Sequence, residues 1–230
     1  MAGVKLLAVE TSSPIFSVAV CDGPEILTFR LVDGQGPASS MLTDLIEGGL
    51  QKAGLKMEEL DGFAISIGPG SFTGLRIGVM TVKALAWALK KPVLPVSSLE
   101  VIAHNAADGS KDVWVLLDAC KGNVYSAVFS PAGGGALRRT GPDELLSPDE
   151  ALKKVQGPVR VIGAGIKKYG HKLAELGAGW AETVPPEQWI PRADVVARIA
   201  AAAWPQGRVD DAHTLVPQYL YSQESNVIEK

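Results

Sequence analysis

The sequence predicts an α/β protein of two similar domains, each ordered βββαβα, with a cleft between them. Three observations lead there. Three closely spaced strand patterns open the chain, and helix and strand patterns then alternate to residue 107. A linker-like stretch, Ala106-Ala107-Asp108-Gly109-Ser110, follows, after which strands resume and the alternation returns. The 230 residues are 47% hydrophobic, enough to bury roughly 70–75% of the unfolded surface without disulfide or metal staples. The expected domains are therefore residues 1–108 and 109–221, with a polar tail at 222–230.

The elements follow in order. Val4–Val9 is an apolar run suited to a central strand. Ser12-Ser13-Pro14 connects it tightly to Ile15–Val20, and Asp22-Gly23 is a hairpin signal leading into Glu25–Val32. Met41, Leu42, Leu45, Ile46 and Leu50 recur at helical spacing, and Ala53-Gly54 ends that helix. Phe63–Ile67 is a short buried strand. Gly68-Pro69-Gly70-Ser71 breaks it, and a helix runs from Phe72 to Leu89. Pro92–Val96 is a strand, and Ser97-x-x-Glu100 is a capping box opening a third helix.

The second half repeats the theme without visible sequence identity. Val113–Leu117 and Val124–Phe129 are strands, Gly133-Gly134-Gly135 turns, and Ala136–Thr140 is a third strand. Ser147-Pro148-Asp149-Glu150 is another capping box, with Pro at the first helical position. Val159–Ile162 is a strand, Gly163-Ala164-Gly165 precedes a helix over Lys167–Leu176, and a last helix covers Asp194–Trp204.

Composition excludes several functions. With 22 Lys+Arg against 25 Asp+Glu, the chain lacks the basic field of a general nucleic-acid coat. Arg138-Arg139 and Lys167-Lys168 are only small basic spots. Cys21 and Cys120 are too few for a disulfide scaffold and have no histidine nearby in sequence. His104, His171 and His213 form no HxxxH or HExxH pair, and no G-x-S-x-G elbow seats a hydrolase nucleophile. The N-terminus lacks a signal-peptide pattern. The apolar stretch Ile77–Leu89 contains Lys83 and is short for a bilayer, so a cytoplasmic protein with no membrane partner is expected.

Four segments are candidates for chemistry. Gly68 to Gly78 places glycines and the hydroxyls of Ser71 and Thr73 at a strand-to-helix junction, with Arg76 beyond. Free N–H groups there suit an anion, although no Gly-Lys-Ser/Thr completes a P-loop. The plainer reading is a tight turn that lets helix and sheet pack closely. Glu10 and Ser12 stand at a strand end, as in a phosphate or metal-water site or in an ordinary hydrogen-bonded turn. Asp118 and Lys121 repeat that theme in the second half, where a plain hairpin tip is the alternative. Gly163 and Gly165 precede a helix and could touch adenosine or phosphate. The helix 72–89 is apolar on every side, which requires a cover within the chain or a partner surface.

Four blocks then resemble one family: Leu7-Ala-Val-Glu-Thr-Ser-Ser13, Ile67 to Gly78, Pro95-Val-Ser-Ser-Leu-Glu100 and Leu117-Asp-Ala-Cys-Lys-Gly122. They look like TsaB (YeaZ), a bacterial family of threonylcarbamoyladenosine (t6A) tRNA modification. The likeness runs from Val4 to Pro217-Gln-Tyr-Leu220, and the GPGSFTGLRIG block is its most specific part. It implies an actin-like, sugar-kinase/Hsp70-type fold. It implies a non-catalytic scaffold that binds and activates a TsaD-like catalytic subunit, forms a homodimer when alone, and meets a TsaE-like ATPase and tRNA through the complex. No cofactor is implied for this chain itself, with ATP and Mg²⁺ confined to the complex, and the inherited label of protease has no support. The implied partner interface is Met41, Leu42, Leu45, Phe72, Leu75, Arg76, Val79, Val82, Lys83, Leu85 and Ala86.

The sequence departs from the pattern at two places. A His-Ser-Glu common at the start of the first long helix falls here on Ala38-Ser39-Ser40, and Glu10 stands where Asp is common. A competing reading is an ATP-dependent phosphotransferase or ATPase of the same fold, with Glu10, Ser12, Asp118, Lys121, Gly163 and Gly165 lining its cleft. A self-associating structural protein is a third.

Overall fold

The computed structural model describes residues 3–34, 38–155, 157–175, 180–207 and 209–221; the tail 222–230 and the end of the helix expected to reach Leu176 lie outside them. The chain divides into two compact units, Met1–Val101 with Pro191–Pro217, and Ile102–Ile190 with Gln218–Lys230.

Unit 1 begins with β1 (Lys5–Glu10), β2 (Ile15–Asp22) and β3 (Glu25–Asp33). Helix α1 (Ala38–Ala53), β4 (Gly62–Gly68), α2 (Phe72–Leu89), β5 (Val93–Ser97) and α3 (Ser98–Ala106) follow. The sheet order is β3-β2-β1-β4-β5. The tightly joined β1, β2 and β3 pair antiparallel; β4 and β5, reached through helices, run parallel to β1. Side chains alternate across the pleat, so β1 splits its apolar run between two cores. Leu7 and Val9 join Val18, Val20, Phe63 and Ile65 under α1 and α2. Leu6 and Ala8 join Ala19 and Ala64 on the other face.

The cover of that second face corrects the expected domain boundary. It is α6 (Ala193–Ala203), the last helix of the chain, which packs against β1, β2 and β4. Ala193, Val196, Ala197, Ala200 and Ala203 are buried against the sheet, where their small side chains let helix and strands approach closely. The Oγ of Ser17 accepts a hydrogen bond from the first helical N–H, that of Ala193 (3.0 Å). Residues 191–217 thus complete unit 1, although sequence order had put them with the second domain. Beyond α6, Asp210 exchanges both backbone hydrogen bonds with Val93 on the outer edge of β5. Lys83 Nζ donates to the carbonyls of His213 and Leu215, both at 3.1 Å.

Unit 2 contains β6 (Asp112–Asp118), β7 (Val124–Gly133), β8 (Ala136–Arg139), β9 (Glu144–Leu146), α4 (Pro148–Lys154), β10 (Val159–Ile162), α5 (Ile166–Glu175) and β11 (Ala181–Thr183). Its path order, β11-β10-β6-β7-β8, mirrors that of unit 1, with β10 parallel to β6 and with β6, β7 and β8 antiparallel. The echo expected from sequence is therefore topological. Two short strands were not expected: β9, which pairs with β7, and β11, which extends the sheet beyond β10. The Ser147 capping box is formed in both directions, Glu150 N–H to Ser147 Oγ at 3.3 Å and Ser147 N–H to Glu150 Oε2 at 2.9 Å. Trp114 is fully buried and its Nε1 donates to Ser126 Oγ at 2.8 Å, so the indole enters the core with its polar atom satisfied.

Helix α2 has the expected bounds, Phe72–Leu89, and so extends beyond the Ile77–Leu89 stretch that is short for a bilayer. Its 18 residues make it the one described helix long and apolar enough to cross a membrane by length and composition. Its contacts with α1, β1, β4 and β5 show that one side belongs to a protein core. That side carries Gly74, Leu75, Gly78, Val79, Val82 and Ala86. A Cβ built on Gly74 would stand 2.0 Å from Thr11 O, and one on Gly78 would stand 2.1 Å from Thr11 Oγ1. Only a bare backbone fits so near. Gly78→Ala is expected to cost about 1–3 kcal/mol by forced overpacking, read as a lower midpoint in thermal or denaturant unfolding. Gly141→Ala, with nothing within 4 Å of its Cβ, is the control and should leave the midpoint nearly unchanged.

Candidate functional site

The glycine-rich junction between β4 and α2 presents two of the N–H groups expected for an anion, but both already have partners. Ser71 N–H donates to Ser12 O at 2.7 Å, and Gly74 N–H donates to Ser71 Oγ at 3.3 Å. A Cβ on Gly70 would lie 2.4 Å from Ser12 O. Gly70, Gly74 and Gly78 therefore serve close approach of α2 to the turn after β1. The plainer of the two sequence readings is the one formed.

Thr11 and Ser12 are the other half of that contact, and both are buried, as is Glu10 before them. Glu10 has no exposed surface. Its Oε1 accepts the Ser12 N–H at 2.5 Å, while Oε2 has no hydrogen-bond partner. Burial pushes its carboxyl above the usual carboxylate range, and the polar groups of Ser12 and Ser66 beside it only partly oppose this. A carboxyl with no exposed surface does not fit a Mg²⁺ water shell, which needs an accessible oxygen.

In unit 2, Asp118 lies at the carboxyl end of β6, and Gly163 and Gly165 follow the parallel strand β10. Sequence set Lys121 either beside Asp118 or at a plain hairpin tip; the structure pairs Asp118 with Lys168 on α5 at 3.4 Å. No sequence signal marked Lys168, which lies 50 residues from its partner. Asp118 Oδ1 also accepts the Cys120 N–H at 3.1 Å, closing the hairpin tip. Lys121 sits 5.7 Å from the Tyr221 ring centroid, and Tyr221 Oη donates to the Ala119 and Cys120 carbonyls. A Cβ on Gly163 would come within 2.5 Å of Leu116 O, and Gly165 N–H donates to that same oxygen at 2.9 Å. These glycines are accounted for by packing on β6. Glu10 and Ser12 belong to one unit, and Asp118, Lys121, Gly163 and Gly165 to the other.

Among the described residues no group of three or more His, Cys, Asp or Glu side chains could hold a metal ion. Cys21 is buried, which pushes its thiol up to about 11, and Cys120 is exposed.

The expected partner interface needs correction. Leu42, Leu45, Leu75, Val79, Val82 and Ala86 are buried in the core of unit 1. They already face the sheet and have no surface left for a partner. Met41 and Leu85 are half-buried, and Lys83 holds the 213–215 segment. The face that α2 exposes keeps Phe72 and Arg76 of the expected set and adds Met80, Ala84 and Ala88, with Trp87 beside them. The spacing of four puts them on one helix face. Phe72, Met80 and Trp87 are 53%, 61% and 65% exposed. The Arg76 guanidinium carbon lies 3.8 Å from the Phe72 ring centroid. The Ser39 side chain, at the departure from the His-Ser-Glu pattern, lies outside the described residues, as does that of Ala38.

Comparison with known proteins gives this arrangement a context. The family model described as "TsaD: tRNA N6-adenosine threonylcarbamoyltransferase" matches residues 38–175, more than half of the chain. The chain is 26% identical over 223 residues to the tRNA threonylcarbamoyladenosine biosynthesis protein TsaB of Bacillus subtilis, covering 96% of this chain and 95% of that protein. It is 32% identical over 165 residues to the tRNA N6-adenosine threonylcarbamoyltransferase of Methylorubrum extorquens, covering 70% of this chain but 44% of that enzyme. Among solved structures, YeaZ from Pseudomonas aeruginosa superposes with a TM-score of 0.81 at 26% identity, covering 94% of this chain and all of that one. Component A of the (R)-2-hydroxyglutaryl-CoA dehydratase of Acidaminococcus fermentans, with a TM-score of 0.50 at 13% identity, shares the fold alone. The fold is the actin-like one.

The two sides of α2 should respond oppositely to charge. Val82→Glu buries a carboxylate among Leu42, Val79 and Phe63 and is expected to cost more than about 4 kcal/mol, enough to unfold unit 1. Met80→Glu, on the exposed row, should change stability by about 0.5 kcal/mol or less. Circular dichroism melts of the two variants test the assignment of faces.

Proposed function

The chain belongs to the TsaB (YeaZ) family, within the wider tRNA N6-adenosine threonylcarbamoyltransferase family, and from that membership we propose that it is a non-catalytic accessory subunit in t6A biosynthesis. It binds a TsaD-type catalytic subunit through the exposed face of α2 and favours one state of that subunit over others. The modified position is adenosine 37 of tRNA, reached through the complex. A TsaE-type ATPase joins the same assembly, and the chain pairs with itself when the catalytic subunit is absent. It works in the cytoplasm.

The observation that carries this reading is the row Phe72–Met80–Trp87. Three large apolar side chains exposed on one helix are costly in water and suit a protein contact. Arg76, stacked on Phe72, adds a residue type favoured in interfaces. Support also comes from coverage: the chain spans nearly the whole of the B. subtilis biosynthesis protein but less than half of the M. extorquens transferase. The rival phosphotransferase reading has no comparable support. Its acid in unit 1 is sealed from water, and its acid in unit 2 is paired with Lys168.

The chain is expected to co-elute with a TsaD-type subunit in near-equal amounts, and Met80→Glu and Trp87→Glu to abolish that co-elution while remaining folded. Retention by both variants would remove α2 from the interface. Failure of the wild type to bind would remove the accessory reading itself.

A further inference from the structure

The corner where β1 meets α2 and β4 holds an arrangement that neither packing nor partner binding uses. Glu10 ends β1 with its side chain on the same face as Leu6 and Ala8, inside the layer covered by α6. One carboxyl oxygen takes the Ser12 N–H at 2.5 Å; the other is fully buried without a partner. The Ser66 and Ser98 hydroxyls bond to each other at 2.7 Å in the same buried region. Thr11 Oγ1 is also buried without a partner. Above this, Ser12 O receives the Ser71 N–H that fixes the start of α2.

Among the described residues no charged side chain is paired with Glu10. The neighbours of Glu10 on β2 and β4 are Ser17 and Ser66, and α3 contributes Ser98. On α6, Asp194 is engaged by Arg192 at 2.9 and 3.1 Å, with Arg198 beside it at 3.9 Å. On α2, Arg76 is exposed and lies over Phe72, and Lys83 is bound to main-chain carbonyls. A carboxylate left here would be an unpaired buried charge, which the interior does not tolerate. A neutral carboxylic acid needs no counter-ion and still accepts the Ser12 N–H.

We propose that this corner is a proton-gated latch, in which a neutral Glu10 carboxylic acid keeps the turn after β1 closed against α2 and loss of its proton requires the corner to open. The raised titration of Glu10 agrees with the geometry, with burial as its largest cause. The sign follows from linkage. In such a latch the folded chain holds at neutral pH a proton that the unfolded chain, near 4.5, has released. The wild type is therefore most stable, relative to an uncharged substitute, below that value. It loses stability as pH rises above it, until the folded carboxyl itself ionises.

Calorimetric unfolding of the full chain at pH 7, in buffers of different ionisation enthalpy, counts the protons released. The wild type should release about one proton more than Glu10→Gln, and its melting temperature should fall relative to that variant between pH 5 and 8. Equal proton release and parallel melting curves would overturn the latch. A measurement needing no variant guards against Glu10→Gln failing to fold. Infrared spectra of the native wild type at neutral pD should show the carbonyl band of one protonated carboxyl, lost on unfolding. Absence of that band would also overturn the proposal.

Discussion

The contact between the first two turns of α2 and the turn after β1 organises unit 1. Glycines at 70, 74 and 78 bring helix backbone against Thr11 and Ser12 at distances no side chain permits. That approach draws the Ser71 N–H onto Ser12 O. It also sets the rotation of α2. With Gly74 and Gly78 facing the sheet, the row from Phe72 to Ala88 must face outward. Two separate sequence blocks, Leu7–Ser13 and Ile67–Gly78, are thus the two halves of one interface within the chain.

The same contact decides what the glycine-rich junction does. In an anion site, the first N–H groups of a helix are left for the ligand. Here two of them are used by Ser12 O and Ser71 Oγ. Unit 2 reaches a comparable end by other means. Lys168 occupies Asp118, and Leu116 O takes the Gly165 N–H. Residues resembling a ligand cradle are spent on internal bonds in both units, while α2 leaves Phe72, Met80 and Trp87 to solvent.

Most of the fold was legible because its signals are local. Alternation, hairpin turns and the two Ser-x-x-Glu boxes mark elements within a few residues, and each expected strand and helix is present in the described residues. β9 and β11 escaped because three-residue strands carry no pattern of their own and exist through their neighbours. The allegiance of α6 escaped because it is settled by a contact nearly 180 residues away in sequence, Ala193 on Ser17. On α2 the apolar pattern was uniform, so hydrophobicity could not separate core from surface. The glycines at 74 and 78 were the available signal, since small residues four apart mark the side of closest approach. The Asp118–Lys168 pair had no local sign.

The composition of unit 1 from two stretches of chain has a consequence for biosynthesis. A ribosome delivers Met1–Val101 first, then the whole of unit 2, and only afterwards Pro191–Pro217. Until α6 emerges, the sheet face bearing Leu6, Ala8, Ala19 and Ala64 has no cover, and the outer edge of β5 lacks its Asp210 partner. The first-made half is therefore the last to be finished. Nascent chains stalled before residue 191 carry an open apolar sheet, a substrate for chaperones rather than a folded domain. Rejoining the segments by circular permutation, so that α6 is made next to β1, would remove that interval.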